Sequence, residues 1–192
     1  MSNAKTVSVL AVGVGGQGII LMSDIIAEAA FQAGYDAKKS EIHGLSQRGG
    51  SVTSNIRWGG KVYSPVIMDG DADFILSLDR IEVLRYAHMV RPDGLILTNS
   101  GYVEPTSVKA GQAVIPDDLD EQIGSYAKLV KVDADAIALK LGNKKIVNTV
   151  MVGVLAKYVD IPEKVWMDVL WKSFPEKIRD INVAAFKAGI QV

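Results

Sequence analysis

Nine residues, His43 to Ser51, gather an imidazole, the hydroxyls of Ser46 and Ser51, the Gln47 amide and the Arg48 guanidinium. Three glycines, Gly44, Gly49 and Gly50, separate them. Arg48 has the fork geometry to hold a phosphate or a carboxylate through two parallel hydrogen bonds. Gly49 and Gly50 let the backbone come close to a ligand or a partner. His43 is the weak catalytic candidate, a proton shuttle whose unperturbed pKa would be about 6.5. A lone histidine beside a glycine more often makes only loop hydrogen bonds, and an average loop leaves its arginine solvated or paired with an acid. Position favours binding here, because the segment follows a second strand beside a glycine-rich turn, where open α/β sheets place ligands.

That turn is the other chemical feature. Residues 7–18 read Val-Ser-Val-Leu-Ala-Val-Gly-Val-Gly-Gly-Gln-Gly. Gly13, Gly15 and Gly18 have the spacing of a dinucleotide fingerprint, with Gly16 beside them. Such a turn leaves N–H groups free at a helix N-terminus, where the macrodipole favours negative charge. Gln17 offers an amide that can donate to one group and accept from another. The competing structural reading gives these glycines only tight strand-to-helix packing. A dinucleotide site also needs an acid at the end of the second strand; Glu41 is near that distance. Lys38 and Lys39 fall earlier and suit a phosphate better.

The whole chain limits the chemistry further. Its 192 residues are 48% hydrophobic and 22% charged with a formal net charge of −1, which suits one folded domain over residues 5–192. That charge gives no reason to expect nucleic acid or an acidic membrane. No apolar run reaches the roughly 18–20 residues of a membrane span, and the first residues lack a secretory pattern, so the cytoplasm is expected. There is no cysteine. Thiolate-held iron–sulfur clusters, thiol nucleophiles and disulfides are therefore excluded from this chain. The two histidines, His43 and His88, have no metal-ligand spacing, and no metal site is expected.

The elements that must position these groups follow from periodicity. Residues 7–12 form a strand apolar on nearly every position, as expected when both faces are covered. A helix over 17–33 carries its wet stripe at Asp24, Glu28 and Gln32 and stops at Gly34. A second strand is expected over 35–39, then a long polar loop over 40–50 where a crossover helix should begin. Residues 51–58 alternate as a strand, Gly59-Gly60 suggests a two-residue turn, and 61–64 would return as its hairpin partner. Strands at 73–78 and 94–98 flank a helix near 81–89. A strand near 112–115, a helix from Pro116 to about Ala127 and a strand at 128–132 complete the pattern.

The rest is helical, with Val147, Val150, Met151, Val154, Leu155 and Tyr158 on one face. Pro162 and Pro175 mark helix starts, and Ile178, Ile181, Ala185 and Phe186 line the last helix. Asn148, Thr149 and Asn182 lie on or beside apolar faces and suit interhelical or cap hydrogen bonds. Trp166 and Trp171, five apart, cannot share one helix face well; at least one could be exposed at a partner surface, although ordinary core packing is the commoner outcome. The expected fold is α/β: a three-layer αβα Rossmann-like domain with a mixed sheet including a β-hairpin, and a helical C-terminal third.

Two blocks of residues carry a family resemblance. Gly13-Val14-Gly15-Gly16-Gln17-Gly18 and the run from Ser40-Glu41-Ile42-His43-Gly44 through Gln47-Arg48-Gly49-Gly50-Ser51-Val52 resemble the gamma-type subunit of 2-oxoacid:ferredoxin oxidoreductases. The wording is most similar to the indolepyruvate branch. Val147 to Gly153 and Asn182-x-x-Ala185-Phe186-x-x-Gly189 extend the resemblance over essentially the whole chain. The resemblance implies oxidative decarboxylation of a 2-oxoacid with coenzyme A, reducing ferredoxin and releasing an acyl-coenzyme A and carbon dioxide. It also implies thiamine diphosphate and iron–sulfur clusters on a larger partner subunit, with coenzyme A a shared ligand. Gly13, Gly15, Gly16, Gln17, Gly18, Ser46, Gln47, Arg48, Gly49 and Gly50 would form one edge of that complex's site, with Lys38 and Lys39 as secondary phosphate candidates. The isolated chain could pair with itself through the face meant for its partner. The alternative is a free-standing NAD(P)-dependent oxidoreductase. Against it, this chain shows no second crossover helix and no clear acid–base set such as a tyrosine with a helical lysine.

Overall fold

A computed structural model of the chain describes residues 4–43 and 50–192. Strand β1 (Val7–Val14) is buried over seven of its eight positions and leads into helix α1 (Ile19–Gln32). The wet stripe falls as the spacing predicts: Asp24 and Glu28 are exposed, and the Gln32 amide donates to Glu28 at 2.7 Å. Gly34, at φ +89°, turns the chain out of the helix.

Next come β2 (Asp36–His43) and β3 (Ser51–Gly59), and the structure departs here from the spacing-based reading. β2 and β3 are themselves the antiparallel hairpin, paired from Asp36–Gly59 to His43–Val52. Ser40, Glu41, Ile42 and His43 are therefore strand, not loop. β3 also pairs antiparallel with β1 along its length, Val7 opposite Trp58 and Val14 opposite Ser51. With both edges of β3 taken, a strand returning at 61–64 has nothing to pair with, and none forms. Val62 instead buries its side chain and donates its N–H to Asp36 at 2.8 Å.

The remaining strands are β4 (Ala72–Ser77), β5 (Val90–Asn99) and β6 (Lys128–Val132). Between them lie α2 (Arg80–Tyr86), the short α3 (Thr106–Lys109) and α4 (Leu119–Gly124). No strand forms at 112–115. Gln112 closes onto Ser107, and Val114 is 89% exposed. α4 also ends before Ala127, the expected limit. The sheet order is β2-β3-β1-β4-β5-β6; β1, β4, β5 and β6 run parallel and β3 is antiparallel to its neighbours. The fold is mixed α/β, as expected.

The helical third comprises α5 (Ala134–Lys140), α6 (Val147–Ala156), α7 (Glu163–Ser173) and α8 (Glu176–Ile190). Pro162 and Pro175 sit at the N-caps of α7 and α8. With α1, these helices build the larger apolar layer, in which Trp166 is fully buried against Phe186, ring centres 5.8 Å apart. α2 and α4 cover the other face around Leu10, Val12, Ile75 and Ile96. α6 and α8 cross in backbone contact at Gly153 and Gly189, where a Cβ on either would meet the other helix's main chain. No helix among the described residues is long and apolar enough to cross a membrane.

Candidate functional site

The four parallel strands end together, and their following loops enclose a cleft of about 550 Å³. Gly16, Gln17 and Gly18 form one wall, Leu78 and Asn99 the floor, and Tyr102, Val103 and Asp135 the far side. Lys144, Lys145 and Asn148 close the rim. A crevice at the carboxyl ends of strands is where open α/β sheets bind ligands.

The glycine turn is built from its own backbone. The Gln17 N–H donates to Val14 O at 3.1 Å, and the Gly15 N–H donates to Gly50 O at 2.8 Å, joining the turn to the start of β3. Gly16 and Gly18 take φ values of +102° and +87°, which only glycine adopts freely. The Gln17 side chain folds back: its Oε1 accepts from Val14 N–H at 2.7 Å and its Nε2 donates to Leu78 O at 3.4 Å. A Cβ on Gly13 would lie 2.7 Å from that Oε1, so Gly13 makes room for the folded amide. Gln17 thus donates and accepts as expected, but to the protein's own backbone, pinning the turn to the end of β4. Gly18 caps α1 without a side-chain bond, and the first helical turn holds no acid. The leading N–H groups of α1 thus have no intrahelical or side-chain cap partner, and the positive end of its dipole lies beside the turn.

The other walls are held as firmly. Asn99, 3% exposed, accepts from Ala134 N–H at 3.1 Å and donates to Asp135 at 2.8 Å. Buried Asp79 caps α2 through Ile81 and Glu82, and its second oxygen accepts from Val103 N–H at 2.6 Å. Lys144 and Lys145 lie on a single 3₁₀ turn capped by the Asn143 side chain. Both are exposed, and no ion pair engages either among the described residues. A second cleft of about 420 Å³ lies across the turn, walled by Val14, Ile19, Ile20 and Val52. The turn is therefore a ridge between a polar crevice, with two lysines and Asp135 in its lining, and an apolar one.

The sequence candidates divide accordingly. Gly13, Gly15, Gly16, Gln17, Gly18 and Gly50 come together. Ser46, Gln47, Arg48 and Gly49 lie outside the described residues, as does the His43 side chain; the His43 backbone pairs with Val52. Lys38 and Lys39 sit opposite Arg57 and Ile56, hence level with Ser8 and Val9. That is five or six strand residues, roughly 17–20 Å, from the turn. Lys38 pairs with Asp36 at 2.7 Å, and Lys39 with Asp24 and Glu41. Burial alone would lower the Lys39 ammonium, yet the hydrogen bonds it donates to those two carboxylates hold its pKa above the ordinary 10.5. The Lys38 hydrogen bond, with Val62 N–H, lowers the Asp36 carboxyl below its usual range.

Reading the residues missed Lys144, Lys145, Asn99 and Asp135 as cleft residues. The one local signal was Asn143 before two lysines, a cap ahead of an apolar helix. Asn148, Thr149 and Asn182 make the interhelical bonds expected of them, Thr149 Oγ1 donating to Asn182 at 2.7 Å. Exposed His88 lies 3.8 Å from Asp69, while half-exposed Trp171 stacks under the Arg179 guanidinium at 4.5 Å.

Comparison with known proteins decides the family. The model for pyruvate ferredoxin/flavodoxin oxidoreductase matches residues 8–192. The chain belongs to that family. Among curated members it is similar to the indolepyruvate oxidoreductase subunit IorB of Thermococcus kodakarensis, 35% identical across 97% of this chain and 96% of that one. The corresponding subunit of Archaeoglobus fulgidus is 39% identical across 95% and 92%. Pyruvate oxidoreductase subunit PORC of Thermotoga maritima shares the family fold, with a TM-score of 0.76 and 24% identity over 97% of this chain and 96% of that one. A longer chain also contains it: 2-oxoglutarate:ferredoxin oxidoreductase from Magnetococcus marinus, solved with 2-oxoglutarate, coenzyme A and succinyl-CoA bound. There the TM-score is 0.77 and the identity 21%, over 97% of this chain and 31% of that one. The topology also differs from a free-standing dinucleotide enzyme. Glu41 lies on an edge strand separated from β1 by β3, not on a parallel neighbour of β1.

Proposed function

We propose that this chain is the gamma-type subunit of a 2-oxoacid:ferredoxin oxidoreductase acting on indolepyruvate or a related arylpyruvate. The complex decarboxylates the 2-oxoacid, transfers the acyl group to coenzyme A and passes two electrons to ferredoxin. The observation that carries the reading is end-to-end similarity to indolepyruvate oxidoreductase subunits. The absence of cysteine fits it, because the clusters must then be held by a larger partner, which also carries thiamine diphosphate.

This chain contributes one edge of a shared site. The glycine ridge offers backbone N–H groups, and Lys144 and Lys145 offer charge, to a substrate carboxylate or a coenzyme A phosphate. Arg48 is assigned the same task by its place in the motif. Replacing Arg48 by alanine in the reconstituted complex raises KM for the 2-oxoacid or coenzyme A, or weakens assembly; unchanged kinetics and assembly remove Arg48 from the site.

The reading as a whole is tested by affinity capture of the tagged chain from its native cell. The expected companion is a large, cysteine-rich, thiamine-diphosphate-binding chain, and the recovered complex reduces ferredoxin with an arylpyruvate only when coenzyme A is present. Micromolar binding of NADH or NADPH to the chain alone, with no such companion, contradicts the proposal.

A further inference from the structure

The glycine ridge is tied to the far end of the chain by buried amides. Asn148, 4% exposed, stands on the first turn of α6 and donates from Nδ2 to Gly18 O at 3.3 Å, across 130 residues of sequence. The fit is close: a Cβ on Gly18 would lie 2.6 Å from that Nδ2. Gly18 O also accepts the first helical bond of α1, from Met22 N–H at 3.0 Å. Two donors therefore fix one carbonyl. Because the peptide is planar and trans, fixing the Gly18 carbonyl aims the Ile19 N–H the opposite way. That N–H is among those at the head of α1 that the helix leaves unpaired.

Asn148 is itself held. Its Oδ1 accepts from Thr149 N–H at 2.9 Å. The fully buried Thr149 hydroxyl donates its single proton to Asn182 Oδ1 at 2.7 Å. Asn182, on α8, donates onward to Ile178 O at 2.8 Å. The path from Asn182 to the ridge carbonyl thus runs through the Thr149 hydroxyl, the Thr149 main-chain N–H and the Asn148 amide. Buried polar networks that are fully satisfied fix a unique arrangement.

We propose that Asn148, steadied by Thr149 and Asn182, is a positioning residue for anion binding at the glycine ridge: it sets the direction of the α1 N–H groups before the ligand arrives. The proposal rests on the reading of the cleft as the ligand edge of the shared site. Removing the Thr149 hydroxyl unties the first turn of α6, which carries Asn148, from Asn182 on α8; the amide is then held less firmly, so ligand capture weakens and turnover does not.

The test uses the reconstituted complex. Thr149→Val, close in shape, raises KM for coenzyme A or for the arylpyruvate about fivefold, the net worth of one hydrogen bond, with kcat within about twofold. Thr149→Ser, which keeps the hydroxyl, restores KM. Should Thr149→Val fail to fold, Asn148→Leu, similar in size but lacking the donor and adding no charge, carries the same expectation. A variant that lowers only the melting temperature, or a serine variant that behaves like the valine one, overturns the proposal. Lys144→Ala/Lys145→Ala separates the two layers of the argument. If it raises KM while Thr149→Val does not, the positioning role alone is wrong; if neither does, the cleft reading fails and the proposal falls with it.

Discussion

Two pairs of adjacent lysines make the instructive contrast in this molecule. Lys38–Lys39 follow the glycine motif by two elements, lie on the edge strand β2 and are matched by Asp36, Asp24 and Glu41. Lys144–Lys145 come from the far third of the chain, have no ion pair among the described residues, and stand on the rim of the cleft that Gly16 and Gly18 wall. An ammonium already satisfied by carboxylates offers little to an incoming anion, whereas an unpaired one beside a helix N-terminus adds to its field. The first pair belongs to the sheet's stability; the second is the pair that the proposed function assigns to the ligand.

The sharpest way to break the cleft side of this contrast is Gly18→Ala. The alanine must hold φ near +87° and place its Cβ against Asn148. The expected loss is about 1–3 kcal/mol of stability in chemical denaturation, together with at least a tenfold rise in ligand KM. Gln17→Leu leaves Val14 N–H without its partner and unpins the turn from Leu78, for a loss of about 1–2 kcal/mol and a smaller KM effect.

Lys39→Met addresses the other pair and should do least, about 0.5–1 kcal/mol, because partly exposed ion pairs are weak. Its pH dependence has a fixed sign. The raised pKa means that the stability contributed by Lys39 is present below 10.5 and is lost as pH rises through the higher folded value. The gap between wild type and variant in denaturant midpoint therefore holds at pH 7–9 and closes in strong alkali. KM should not change. A gap that grows in alkali, or a changed KM, would remove Lys39 from the structural side of the contrast.

What sequence could and could not disclose follows the same division. β1, the glycine turn and α1 were legible because each signal is local: an unbroken apolar run, glycines at fixed spacing, and a stripe at Asp24, Glu28 and Gln32. The helical third was legible for the same reason. The β2–β3 pairing was not, since β2 is a polar edge strand, Ser40-Glu41-Ile42-His43 carry no apolar alternation, and Gly59-Gly60 offered a competing turn signal. The insertion of β3 between β1 and β2, which denies 61–64 a partner, is likewise invisible along the chain. The site's glycines were found by spacing. Its lysines were not, because only the fold carries residues 144 and 145 to the end of β1.

One of the two lysine pairs faces the ligand, and kinetics can tell which. In the reconstituted complex, KM for coenzyme A and for an arylpyruvate should be compared between Lys144→Ala/Lys145→Ala and Lys38→Ala/Lys39→Ala. The account predicts a rise of about tenfold in one KM for the first variant, with an unchanged melting temperature, and unchanged kinetics for the second. A KM that responds to Lys38 and Lys39 and ignores Lys144 and Lys145 would contradict it.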